Sequence, residues 1–193
     1  MKKHLLIAPV MLFSFLSLFS QTKVQPGVKA GMNIASVYSN DGASYDPIEA
    51  FYAGLYFRAQ INEKFKIQPE ILVSGQGTEA KALNQNIEWK SLYLNVPIMA
   101  QYFFNQNIYA ELGPQFGFLL DDDGFNSMVN ENLIKTFDFG INAGLGYEFD
   151  SGLNVNTRYT LGLNNIDEDP LDRNDKTKNR VFSIGVGYTF KKR

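Results

Sequence analysis

From Phe137 to Phe149 the chain alternates without a break. Phe137, Phe139, Ile141, Ala143, Leu145, Tyr147 and Phe149 fall on one side, and Asp138, Gly140, Asn142, Gly144, Gly146 and Glu148 on the other. Successive side chains of an extended strand point to opposite faces, so a period of two specifies a strand with one apolar and one polar face. The pattern returns at Leu153–Leu163, where Leu153, Val155, Thr157, Tyr159, Leu161 and Leu163 oppose Asn154, Asn156, Arg158, Thr160, Gly162 and Asn164. It returns again at Phe182–Phe190. Five earlier segments fit less cleanly: 28–34, 51–60, 65–74, 91–101 and 108–118. Pro69, Pro97 and Pro114 interrupt three of them, and bulges or bends are expected there because proline has no N–H to give the ladder.

Eight segments of one kind point to an all-β fold, an eight-stranded antiparallel up-and-down barrel. The connections alternate in length. Short turns fall at Asn62-Glu63, Asn105-Gln106 and Asp150-Ser151-Gly152, and long polar loops at 39–48, 78–88, 121–136 and 165–179. That asymmetry is the pattern of a transmembrane barrel, with tight periplasmic turns and long external loops.

Alternation alone does not say which face is inside. A soluble barrel buries its apolar face; a membrane barrel turns it outward. The polar face decides for the membrane. Lys29, Arg58, Lys66 and Arg158 share it with Glu70, Glu111, Asp138 and Glu148, four charges of each sign. Toward lipid a midplane Lys or Arg costs ~2–4 kcal/mol, whereas inside a narrow lumen these groups can pair. Glycines gather on the same face, among them Gly31, Gly54, Gly113, Gly144, Gly146, Gly185 and Gly187, leaving volume for the long charged side chains in a lumen that side chains just fill. Aromatic residues stand near the strand ends, at Phe103, Phe104, Tyr147, Phe149, Tyr188 and Phe190 beside the short turns and at Phe51, Trp89, Phe137 and Phe182 near the long loops. Two such girdles mark the interfaces of a membrane barrel.

The N-terminus carries an export address. Lys2 and Lys3 precede an apolar run from Leu5 to Phe19, and small Ser20 follows. The run has ~15 residues against the ~20 that span a bilayer as a helix, so residues 1–20 are expected to be a cleaved signal peptide and 21–193 the barrel domain. Removing Lys2 and Lys3 leaves 16 basic residues against 20 acidic ones, a net charge of −4. There is no basic footprint for nucleic acid.

The chemistry open to such a chain is narrow. It has no cysteine, and its one histidine, His4, lies in the leader. A Ser-His-Asp hydrolase needs the imidazole as its base. Gly144-Leu145-Gly146 and Gly185-Val186-Gly187 lack the spacing and following helix of a nucleotide fingerprint. Asp121-Asp122-Asp123-Gly124 and Asp167, Glu168, Asp169 and Asp172 do not match a calcium loop and read as solvated charge. Glu70 and Glu111 read as partners of Arg58, Lys66 or Arg158 rather than as a catalytic pair. No catalytic residue, metal site or cofactor is expected. The eight lumen charges are assigned a structural role.

Several motifs carry a resemblance. They are Gly27-Val28-Lys29-Ala30-Gly31-Met32-Asn33, Gln68-Pro69-Glu70-Ile71-Leu72 with Ser74-Gly75-Gln76-Gly77, and Leu92-Tyr93-Leu94-Asn95-Val96-Pro97-Ile98, followed by Glu111-Leu112-Gly113-Pro114-Gln115, Asp138-Phe139-Gly140 through Gly144-Leu145-Gly146-Tyr147-Glu148, and Arg158-Tyr159-Thr160-Leu161-Gly162-Leu163. Over nearly the whole mature chain they resemble the PorT-type outer-membrane barrels of Bacteroidetes. The resemblance implies a porin-like barrel in the outer membrane, and its name-giving member implies a link to protein secretion. The expected partners are outer-membrane lipid and other envelope proteins, met through the four long loops. A narrow pore, a lipid hydrolase and a soluble lipocalin-like periplasmic carrier are the competing readings.

Overall fold

The computed structural model describes residues 23–38, 45–82, 85–123, 136–165 and 177–190. The expected signal peptide lies outside them, as do most of the loops at 121–136 and 165–179. Among the described residues nine strands run β1 (Val24–Tyr38), β2 (Tyr45–Asp46), β3 (Ile48–Gln60), β4 (Phe65–Ala82), β5 (Gln85–Phe103), β6 (Ile108–Asp123), β7 (Phe137–Glu148), β8 (Leu153–Gly162) and β9 (Lys178–Thr189). Eight of them form a closed antiparallel barrel in which each strand pairs with its chain neighbour and β1 pairs with β9. The two-residue β2 lies outside the ring and adds to the top of β4.

Closure follows from where the apolar side chains point. Phe51, Leu55, Ile71, Leu112, Leu145, Ile184 and Val186 are all exposed, while Lys29, Arg58, Glu70, Glu111, Glu148 and Arg158 are buried. This is the reverse of a water-soluble core, and a lipid-facing band meets the resulting surface. In hydrocarbon an open sheet edge would leave N–H and C=O groups without partners, so the ribbon has to join its own first strand.

The short turns sit where expected. Asn62 Oδ1 accepts from the amides of Lys64 and Phe65, at 2.9 and 2.8 Å. Asn105 Oδ1 does the same for Asn107 and Ile108, at 2.9 and 2.7 Å. In the third turn Gly152 adopts φ 94°, a conformation that L side chains rarely take. The aromatic girdle at this end is built of edge-on pairs, Tyr102–Phe104, Tyr147–Phe149 and Tyr188–Phe190. Toward the long loops Phe116 lies against Phe139 and Phe118 against Phe137. The side chain of Trp89 is outside the description.

Three expectations need correction. Residues 78–88 are not a loop: β4 and β5 pair from Phe65↔Tyr102 up to Ala82↔Gln85, forming one tall hairpin. Above the hydrocarbon a ladder can carry polar residues on both faces, so the alternation fades while the pairing continues. The prolines introduce no bulge either. The ladder merely skips partners beside each of them: between Tyr56↔Glu70 and Ala59↔Ile67 for Pro69, between Pro69↔Ile98 and Leu72↔Asn95 for Pro97, and between Pro97↔Gln115 and Ala100↔Leu112 for Pro114. The true bulge is at Leu92/Tyr93, which pair with Asp121 and Leu119 and leave Leu120 as the extra residue. Finally, Phe103 is no girdle residue. It is 3% exposed and stacks inside the lumen on Tyr109, as its shared parity with Gln101 demands.

The wall makes a direct prediction. Ile184 is exposed halfway along β9, between Met32 of β1 and Thr157 of β8. Ile184→Lys is expected to cost ~2–4 kcal/mol in urea unfolding from lipid vesicles, and Ile184→Val under ~1.5 kcal/mol.

Candidate functional site

The polar face lines the lumen, and its side chains form three tiers. At the centre Arg158 of β8 reaches two carboxylates. Its Nη1 and Nη2 donate to Glu70 Oε2 and Oε1 at 3.0 and 2.8 Å, and its Nε donates to Glu111 Oε1 at 2.9 Å. Lys29 Nζ stands 3.4 Å from both oxygens of Glu70. Four strands, β1, β4, β6 and β8, thus meet through charge across the interior. A planar guanidinium suits this duty, because it can fork to one carboxylate while turning a third N–H to another.

Nearer the short turns, Arg58 of β3 donates through Nη1 to Glu148 of β7, and Lys66 Nζ lies 4.0 Å from the same carboxylate oxygen. This tier is aromatic as well. Arg58 sits over the rings of Tyr56 and Tyr109, and Lys66 over Phe103 with its Nζ 3.8 Å from the ring centre. Tyr56 Oη is 2.7 Å from Thr189 Oγ1 and accepts from Asn154 Nδ2 at 3.0 Å. The two charged tiers are joined by Gln68, whose Oε1 accepts from Arg58 Nε at 2.7 Å while its Nε2 donates to Glu70 at 2.8 Å.

Toward the long loops uncharged side chains take over most of the lumen. Asn33 links Ser74 and Ser183, at 2.9 and 2.8 Å. Asn142 donates to Gln115 Oε1 and accepts from Thr160 Oγ1, at 3.1 and 2.6 Å. A cavity of about 20 Å³, lined by Asn33, Ser74, Gln115, Thr160, Ser183 and Arg158 among others, has room for about one water molecule.

Seven of the eight lumen charges named from the sequence therefore meet in two clusters: Lys29, Glu70, Glu111 and Arg158, and Arg58, Glu148 and Lys66. Asp138 stands apart in the outer tier, where Asn179 Nδ2 donates to it at 2.8 Å. Sequence reasoning missed the connecting role of Gln68 and the way lumen tyrosines lie against glycines. A Cβ at Gly146 would come within 2.2 Å of the Tyr109 ring, one at Gly27 within 2.2 Å of Tyr56, and one at Gly185 within 2.0 Å of Tyr52 Oη. These glycines seat aromatic rings. A Cβ at Gly144 would stand 2.5 Å from the Thr157 carbonyl oxygen and 3.2 Å from the Glu111 side chain, so backbone as well as a charged side chain crowds this glycine. The signal for Gln68 was its parity, which puts it on the face of Lys66 and Glu70.

A family model described as outer membrane protein beta-barrel domain matches residues 19–168. The chain belongs to this family. Its place is the outer membrane, where the exposed apolar belt meets lipid. Solved structures share the fold. OprG of Pseudomonas aeruginosa is 14% identical with a TM-score of 0.58, covering 90% of this chain and 99% of that one. Neisserial surface protein A is 13% identical at 0.57, covering 87% and 99%. Ail, the attachment invasion locus protein of Yersinia pestis, is 16% identical at 0.54, covering 87% and 99%, in a crystal structure with the heparin analogue sucrose octasulfate. At these identities the likeness is one of fold. None of the curated proteins matches the chain.

The central tier can be tested in the family's own setting. Breaking a buried ion pair from one side strands the opposite charge and typically costs 3–5 kcal/mol. Arg158→Met is expected to lower the unfolding free energy in vesicles by about that amount. Adding Glu70→Gln and Glu111→Gln is expected to return part of the loss, because the stranded charges are then gone.

Proposed function

We propose that the chain is a non-enzymatic outer-membrane barrel with a plugged polar lumen, serving as a structural or protein-interaction component of the envelope. Its leader, residues 1–20, is removed on export, and residues 21–193 form the working domain. Contacts with other envelope proteins run through the external segments at 39–48, 78–88, 121–136 and 165–179. The PorT-type resemblance adds a secretion-related role in a Bacteroidetes envelope.

The observation that carries this reading is the cross-lumen bridge of Arg158 to Glu70 and Glu111, with Lys29 behind it. Groups that pair across the lumen in this way leave little free volume for a solute. In this reading Lys29, Arg58, Lys66, Glu70, Glu111, Asp138, Glu148 and Arg158 hold strands together and perform no chemistry. The absence of cysteine, and of any histidine beyond His4, supports a non-enzymatic role.

Conductance tests it. The purified barrel in planar bilayers is expected to give no sustained single-channel current. A variant combining Arg158→Ala, Glu70→Ala and Glu111→Ala is expected to conduct. Robust currents from the wild-type protein would overturn the plugged-lumen reading in favour of a narrow pore.

A further inference from the structure

The outward face of β4 carries glycine at two successive positions, Gly75 and Gly77. The register sets Gly75 opposite Leu92 of β5, and Gly77 opposite Lys90. On the other side the β3–β4 ladder stops at Tyr52↔Ser74, and pairing resumes only where Asp46 meets Glu79. The wall is therefore notched. The floor is bare β4 backbone, and the sides are Phe51 and Glu49 of β3 and Leu92 and Lys90 of β5. The notch encloses a cleft of about 420 Å³, within the ~300–1,000 Å³ typical of small-molecule sites. Gln76, buried on the lumen side, lines both this cleft and the small water-sized cavity and so forms the partition between them.

The cleft is graded along the strand. Its lower rung is apolar: Phe51, Leu92 and Ala50 beside Gly75, with Phe51 at 71% the most exposed large apolar side chain among the described residues. Its upper rung, toward the long loops, carries Glu49, Lys90 and Asp121. The lower rung is continuous with the lipid-facing belt of Leu55, Ile71 and Val73. The upper rung reaches the water on the external side. The glycine floor is built in: Gly77 has φ 148°, which strains any larger residue, and a Cβ at Gly75 would stand 3.0 Å from that of Ala50.

We propose that this cleft seats one lipid of the outer leaflet, an acyl chain lying on the glycine floor between Phe51 and Leu92 and a polar head at Glu49, Lys90 and Asp121. A head bearing both phosphate and amine or hydroxyl groups fits a rung that offers one ammonium and two carboxylates. Such a site is independent of whether the lumen is plugged.

Photolabelling tests it. Full-length barrel in phosphatidylethanolamine/phosphatidylglycerol vesicles is irradiated with phosphatidylethanolamine carrying a diazirine on its acyl chain, and adducts are mapped by mass spectrometry. Labelling is expected to be enriched several-fold at Glu49–Phe51, Gly75–Gly77 and Lys90–Leu92 over the opposite wall at Val155–Leu161. The enrichment should be lost in Phe51→Ser and in Gly75→Leu, with heat-modifiable mobility showing that each has folded, and kept in Leu161→Ser. Wild-type labelling spread evenly around the belt, or an enrichment that survives Phe51→Ser, would overturn the proposal. The wild-type map decides the matter even where Gly75→Leu does not fold.

Discussion

Hydrocarbon offers the backbone no hydrogen-bond partner, and the rest of this structure depends on that. Each N–H and C=O in the membrane has to be met by a neighbouring strand, so the first strand must find the last. Once β1 lies against β9, each side chain has only two destinations. Lipid takes the apolar half of the alternation. What remains, including eight charges, is confined within a tube just wide enough for side chains to fill. The ionic bridges of the lumen are thus a consequence of closure. Denied water, seven of the eight charges find one another, and Asp138 is met by Asn179.

The tiers of the interior follow from the same confinement. Arg158 serves Glu70 and Glu111 because its planar fork offers several N–H groups in fixed directions; a lysine in its place would present a point charge. The carboxamides of Gln68 and Asn142 do what charges cannot, donating and accepting at once, and so carry hydrogen bonding from one strand to the next. The tyrosines fill space left by glycines of other strands, Tyr56 against Gly27, Tyr109 against Gly146 and Tyr52 against Gly31 and Gly185.

Much of this was legible in the residues themselves. Period-two alternation gave strand identity and facing from Phe137 onward, and Asn62, Asn105 and Gly152 marked the tight turns. It failed where membrane chemistry stops constraining side chains. In the upper β4–β5 hairpin polar residues stand at both parities of the sequence, so paired strand read as loop. The prolines misled for a different reason. A missing N–H costs one rung but adds no residue, and only an added residue such as Leu120 shifts register. Parity fixed the faces of Gln68 and Phe103; it could not say which partner lay across the lumen, because partnership there depends on shear and tube diameter. The glycine-floored cleft was invisible for a similar reason, since it arises from residues of three strands brought side by side.

The bridging charges also bear on how the chain enters the bilayer. The strands made first, β1 to β6, bring three lumen cations, Lys29, Arg58 and Lys66, against two anions, Glu70 and Glu111. The last three bring Asp138 and Glu148 against Arg158. Taken alone, the earlier strands therefore carry one net positive lumen charge and the last three one net negative. Glu70 and Glu111 meet an arginine 88 and 47 residues further along the chain, so closing the ring is also the step that neutralises it.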